Sequence, residues 1–170
     1  MNNSIKDKKN FSIKLFVIFA CVVLFALTAC DKTRFYNKTV QTPKNGWKAS
    51  DTLYYTFNIQ DTTQLYNFYF EVRNTSDYNK QNLYLFITAF YPNKTFSRDT
   101  AECLLAAPDG KWLGKGMGKF KDSRFLFRKG VRFRNSGEHT IAVNQAMRDE
   151  NVQGIKAIGI ILKHYDYGKD

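Results

Sequence analysis

From residue 51 onward the chain alternates apolar and polar side chains with a period of two, a pattern that gives an extended strand one dry and one wet face. Leu53, Tyr55, Phe57 and Ile59 alternate with Thr52, Tyr54, Thr56 and Asn58. After the polar break Asp61-Thr62-Thr63-Gln64, Tyr66, Phe68, Phe70 and Val72 alternate with Asn67, Tyr69, Glu71 and Arg73, and Asn74-Thr75-Ser76-Asp77 closes the run as a turn. Residues 82–91 are nearly all apolar, with Leu83, Leu85, Ile87 and Ala89 on one side and Tyr84, Phe86 and Phe90 on the other. That composition predicts a central strand covered on both faces and ended by Pro92-Asn93.

The rest of the chain extends the pattern less regularly. Residues 95–105 are a further strand candidate, followed by the tight-turn signal Pro108-Asp109-Gly110 and a glycine-rich stretch over 111–121. Residues 125–133 and 140–145 read as strands flanking the turn chemistry of Asn135-Ser136-Gly137. Ile155, Ile158, Ile160 and Leu162 line a C-terminal strand, in which Gly159 would weaken a helix by about 1 kcal/mol. Seven or eight short strands without alternating helices predict an all-β fold, an antiparallel β-sandwich of jelly-roll type.

The N-terminus has a different character. Lys6, Lys8, Lys9 and Lys14 precede an apolar run over residues 15–27, and the small pair Thr28-Ala29 leads into Cys30. These are the three parts of a secretory signal. The run has 13 residues, short of the roughly 20 a spanning helix needs. Leu27-Thr28-Ala29-Cys30 resembles a lipobox, with cleavage after Ala29 and a lipid on the Cys30 thiol. An uncleaved anchor is the alternative, disfavoured because the cysteine sits at the junction between the apolar run and a polar, charged sequence. The expected organisation is a signal peptide over 1–29, lipidated Cys30 with a tether and at most one edge strand over 30–50, and a β-sandwich over 51–170. Asp31 resembles an inner-membrane retention signal of one bacterial lineage and leaves the choice of membrane open.

Charge and cysteine count follow from that cleavage. Residues 1–29 hold four Lys and one Asp, so removing them lowers the net charge from +11 to +8. A basic exported domain suits anionic lipid head groups, acidic glycans or an acidic protein, whereas export argues against nucleic acid. Cys21 leaves with the signal and Cys30 carries lipid, so Cys103 stands alone and is expected to be a buried packing residue rather than a nucleophile.

Signals for catalysis are weak. His139 and His164 have no neighbouring ligand at metal spacing, no Gly-x-Ser-x-Gly elbow occurs, and the acidic residues are dispersed. No cofactor, metal or catalytic residue is assigned. Gly114-Lys115-Gly116-Met117-Gly118-Lys119 imitates a phosphate loop but lacks its full form, so a bulge or bent strand is the expectation. Trp112 could stack on a sugar but is more simply a core residue.

A set of segments resembles one family: Arg98-Asp99-Thr100-Ala101-Glu102-Cys103-Leu104-Leu105-Ala106, then Gly110-Lys111-Trp112-Leu113-Gly114-Lys115-Gly116, then Gln145-Ala146-Met147-Arg148 and Gly154-Ile155. Together with the lipobox they look like the gliding-motility lipoprotein family GldH of Bacteroidota. The resemblance implies a non-enzymatic, lipid-anchored envelope protein. It implies a place on the periplasmic face of the outer membrane rather than the inner membrane, as a component or accessory of the gliding and type IX secretion machinery. It makes Trp112, Lys115 and Arg148 candidates for contact with an envelope protein complex. The alternative is a carbohydrate-binding jelly-roll lipoprotein, motivated by Trp112 and the many tyrosines. Asp51-Thr52-Leu53, Asp61-Thr62-Thr63 and Asp99-Thr100-Ala101 resemble O-glycosylation acceptors of exported Bacteroidota proteins, which marks Thr52, Thr62 and Thr100. Asp-Thr pairs also start or end strands without any modification.

Overall fold

The chain divides into the units Met1–Lys32 and Thr33–Asp170, and the computed structural model describes residues 34–165, all within the second. The signal peptide and Cys30 lie outside the described residues. The strands in order are β1 (Arg34–Gln41), β2 (Trp47–Lys48), β3 (Leu53–Ile59), β4 (Leu65–Thr75), β5 (Asn82–Phe90), β6 (Phe96–Leu104), β7 (Phe120–Arg132), β8 (Gly137–Gln145), β9 (Asn151–Val152) and β10 (Ile155–His164).

Eight of them form two antiparallel four-stranded sheets, β1-β10-β4-β7 and β3-β8-β5-β6, while β2 and β9 form a two-residue clip. Counting only the eight long strands in chain order, the sheets run 1-8-3-6 and 2-7-4-5, so successive strands cross repeatedly from sheet to sheet. That is the jelly-roll topology expected from the sequence.

The period-two segments supply the layer between the sheets. On β3 the burial alternates without exception, Leu53, Tyr55, Phe57 and Ile59 inward and Tyr54, Thr56 and Asn58 outward. Tyr66, Phe68, Phe70 and Val72 of β4 meet them from the other sheet, with Leu83, Leu85 and Ile87 of β5 and Ile155, Ile158, Ile160 and Leu162 of β10 in the same cluster. Tyr55 sends its hydroxyl across the core to the carbonyl of Ile158 at 2.7 Å, joining the two sheets by a buried hydrogen bond.

Four expectations change. The sandwich begins at Arg34 rather than at 51, because β1 forms the edge of the first sheet by pairing with β10 from Arg34↔Lys163 to Gln41↔Ala157. An edge strand needs only one dry face, so Asn37, Lys38 and Thr39 stay exposed and hide the pattern. Trp47, expected in a tether, is completely buried and donates its indole N–H to the carbonyl of Asp51 at 2.8 Å. The segment 114–119, expected as a bulge or bent strand, lies in the loop before β7, which the isolated bridges Ala106↔Trp112 and Lys115↔Asp122 hold in place. Finally, β5 is central, between β8 and β6, but only its inner face is covered.

Candidate docking face

The outer face of β3-β8-β5-β6 is where that last difference becomes a surface. Side chains two apart on a strand point the same way, about 7 Å from one to the next. On β5 this aligns Tyr84, Phe86, Thr88 and Phe90 toward solvent, with Phe86 at 56% exposure. β6 adds Phe96, paired with Phe90 at a ring separation of 6.3 Å, and Leu104; β3 adds Tyr54. Apolar side chains concentrated in this way on a solvent-facing sheet mark an interaction surface.

Polar groups frame the row. Phe86 is flanked by Thr100 on β6 and Asn144 on β8. These three, with Ala49, Thr88 and Arg98, line a shallow groove of about 500 Å³. The Arg98 guanidinium lies 5.2 Å from the centre of the Phe96 ring, a cation–π contact. At the other end Glu102 accepts a hydrogen bond from the Asn82 amide at 2.6 Å, and that bond, with one from Tyr84, holds its carboxyl below the usual range.

Of the residues singled out from sequence, Trp112 and Lys115 share the loop between β6 and β7, and Arg148 lies in the loop between β8 and β9. Trp112 is half-buried, packs against the core cluster and takes part in the bridge to Ala106. Lys115 is exposed, and its backbone exchanges two hydrogen bonds with Asp122 at 2.9 and 2.7 Å. Arg148 is exposed in the loop between β8 and β9. Among the described residues no hydrogen bond or ion pair joins these three.

The glycines around Lys115 serve close backbone approach. A Cβ at Gly114 would stand 2.6 Å from Ser123 Oγ, and one at Gly116 would stand 2.4 Å from the Phe120 carbonyl oxygen. Of the three Asp-Thr threonines, Thr100 is exposed on the aromatic face, Thr62 is half-exposed in the β3–β4 turn, and Thr52 accepts the Asn144 amide N–H at 2.8 Å.

The remaining reactive groups are locked into the core. Cys103 is fully buried, and burial pushes its thiol up to about 12, so a thiolate is disfavoured. His139 is buried, stacked on Phe57 at 5.9 Å, with Nδ1 donating to the Gly137 carbonyl at 3.1 Å rather than to a serine or carboxylate. Among the described residues no group of three His, Cys, Asp or Glu could hold a metal ion. Likewise, no helix among them is long and apolar enough to cross a membrane.

The fold class these strands define is an antiparallel β-sandwich of jelly-roll topology with an aromatic outer face. The GldH lipoprotein family model matches residues 34–162, and the chain belongs to that family. It is similar to "Gliding motility lipoprotein GldH homolog" of Christiangramia forsetii, 27% identical over 91% of this chain and 98% of the relative. It is also similar to "Gliding motility lipoprotein GldH" of Flavobacterium johnsoniae, 26% identical over 88% of this chain and 95% of the relative. Similarity to solved structures is loose. A Bacillus thuringiensis insecticidal delta-endotoxin, Cry8Ea1, aligns over 69% of this chain and 19% of its own length, with 16% identity and a TM-score of 0.39. A family 35 carbohydrate-binding module from Clostridium thermocellum aligns over 76% of this chain and 93% of its own, with 15% identity and a TM-score of 0.34. Membership in a family of gliding-motility lipoproteins places the protein in the cell envelope, associated with a membrane.

The sequence row 82–91 contained the signal for the docking face, since Tyr84, Phe86 and Phe90 share one parity. What it lacked was any indication that no second layer covers them.

Proposed function

We propose that the protein is a non-enzymatic component or accessory of the gliding-motility and type IX secretion machinery, anchored through lipid on Cys30 after removal of residues 1–29. In this proposal it stands on the periplasmic face of the outer membrane and docks an envelope protein through the outer face of β3-β8-β5-β6. The observation that carries the docking is the row Tyr84, Phe86 and Phe90, continued by Phe96, which stays in solvent although the sandwich core is complete without it. Trp112, Lys115 and Arg148 serve as further contacts beside this row.

The test is a chromosomal F86D/F90D double variant. It should retain the fold and envelope abundance yet lose gliding, type IX cargo secretion and co-purification of its envelope partner. Normal gliding and secretion in that variant would refute this face as the docking site. The same row also suits a glycan-binding strip, with Asn144 and Thr100 as the polar groups between rings. Glycan binding by the wild-type protein that the double variant loses, with secretion and gliding intact, would favour that second reading.

A further inference from the structure

The two sheets leave a second opening, on the flank where β6 and β7 are the free edges. The cleft there measures about 430 Å³, within the range of small-ligand sites. Its floor is apolar, built by Phe68, Ile87, Phe127, Phe133 and Ile141. Arg128, Arg132 and Arg134 stand at its wall, and the one carboxylate among its lining residues, Asp99, is ion-paired with Arg128. Arg132 and Arg134 are exposed, and among the described residues neither faces an acidic partner within ion-pair distance. The register of β7 shifts twice against β4, between Tyr66 and Phe68 and between Phe68 and Tyr69, which bends β7 where it forms the cleft wall.

The position of this cleft relative to the start of the domain gives it a meaning. Phe35, the second residue of β1, lies 5.0 Å from the Tyr66 ring, and Tyr66 lies 5.7 Å from Phe133 on the cleft floor. Cys30 precedes Arg34 by four residues, a stretch that reaches about 14 Å at most when fully extended. The cleft is therefore at the end of the sandwich from which the chain leads back to the anchoring cysteine. An apolar floor behind a cationic wall, close to a membrane anchor, matches a molecule with an acyl chain and a negative head.

We propose that the cleft between β6 and β7 seats one anionic phospholipid of the anchoring membrane, with its phosphate on Arg132 and Arg134 and part of an acyl chain against Phe127 and Phe133. The proposal rests on the anchored reading of Cys30. It orients the domain with the β6–β7 cleft toward the bilayer and leaves the aromatic face of β5 free for a partner.

The test uses the full lipoprotein purified from membranes and reconstituted into phosphatidylcholine vesicles. These contain either phosphatidylglycerol or phosphatidylcholine with a photoreactive group on the acyl chain, and intact-mass measurement reads the state of Cys30. The expected result is acylated Cys30 with crosslinks concentrated on peptides containing Phe127 and Phe133, stronger for phosphatidylglycerol. An R132Q/R134Q variant should lose that labelling by about thirtyfold, the effect of losing two charges' attraction to an anionic surface, while its thermal unfolding and vesicle attachment stay unchanged. Acylated Cys30 with equal labelling by both lipids, or with crosslinks confined to the β5 face, overturns the lipid seat and leaves the anchor standing. Unmodified Cys30 in membrane-derived protein overturns the anchor and the lipid seat together. Binding of glycerol phosphate that R132Q/R134Q abolishes, with no acyl-chain crosslink to Phe127 or Phe133 from either lipid, would assign the site to a free phosphate and overturn the lipid as occupant.

Discussion

The Tyr55 hydroxyl and the Ile158 carbonyl meet at 2.7 Å in the centre of the sandwich, one from each sheet, with both residues fully buried. Burial pushes the phenol pKa far above its ordinary range, so the group is a neutral donor at any physiological pH. Tyr55→Phe keeps the ring and removes only this bond, at a cost of about 1 to 2 kcal/mol. The midpoint of urea unfolding should fall with its slope unchanged; an unaltered midpoint would show the bond to be energetically neutral.

His139 gives the fold a pH dependence of defined sign. Burial disfavours the imidazolium, and this outweighs the bond to the Gly137 carbonyl, so the native pKa lies below 6.5. The unfolded chain then binds the proton at a higher pH than the native one. The stability tied to the neutral ring is complete above the unfolded value and is lost as pH falls through the lowered native value. Urea stability should therefore fall as pH drops below about 7.5, until the lowered native value is passed, and fall less in His139→Gln. Equal slopes for the two proteins would remove His139 from the account.

Gly154 turns the chain between β9 and β10 with φ at +84°, and a Cβ there would stand 2.6 Å from the backbone nitrogen of Tyr78. Its carbonyl also accepts the Thr75 N–H at 2.8 Å. Gly154→Ala should cost about 2 to 3 kcal/mol, combining left-handed strain with a backbone clash that cannot relax cheaply. Gly110, with φ at +84° and open space around its Cβ, is the control: Gly110→Ala should cost about 1 kcal/mol. Comparable melting temperatures for the two variants would contradict the packing part of this account.

The three Asp-Thr threonines separate by accessibility. If the family's host modifies them, Thr100 on the solvent face of β6 should carry glycan most fully, and Thr52, engaged by Asn144, least. Glycopeptide mass spectrometry of protein isolated from its native envelope reads the order directly. Glycan on Thr52 with Thr100 bare would reverse it, and its absence from all three would leave Asp-Thr as strand-end chemistry.

Local periodicity determined a large share of this protein. The alternation on β3 and β4 and the inner row of β5 is written in successive side chains, because a strand facing a core must bury every second residue. Those rows, with the turn signals between them, were enough to name a jelly roll before any pairing was known. The segments around Arg98, Trp112 and Arg148 that resemble the family were likewise legible, since the family is recognised by residues in order along the chain. Tertiary structure alone decided what lies over each face. Tyr84, Phe86 and Phe90 look as dry as Leu83, Leu85 and Ile87 in sequence, yet one row is in solvent and the other in the core. Nothing local to β5 specifies whether another layer packs against it. For the converse reason β1, allowed as at most one edge strand within 30–50, could not be given bounds there: a strand with one polar face carries a pattern too faint to separate from a tether. The cleft between β6 and β7 depends on residues up to 73 positions apart, from Phe68 to Ile141. Such a site comes from how two sheets close on each other, which no run of neighbouring residues encodes.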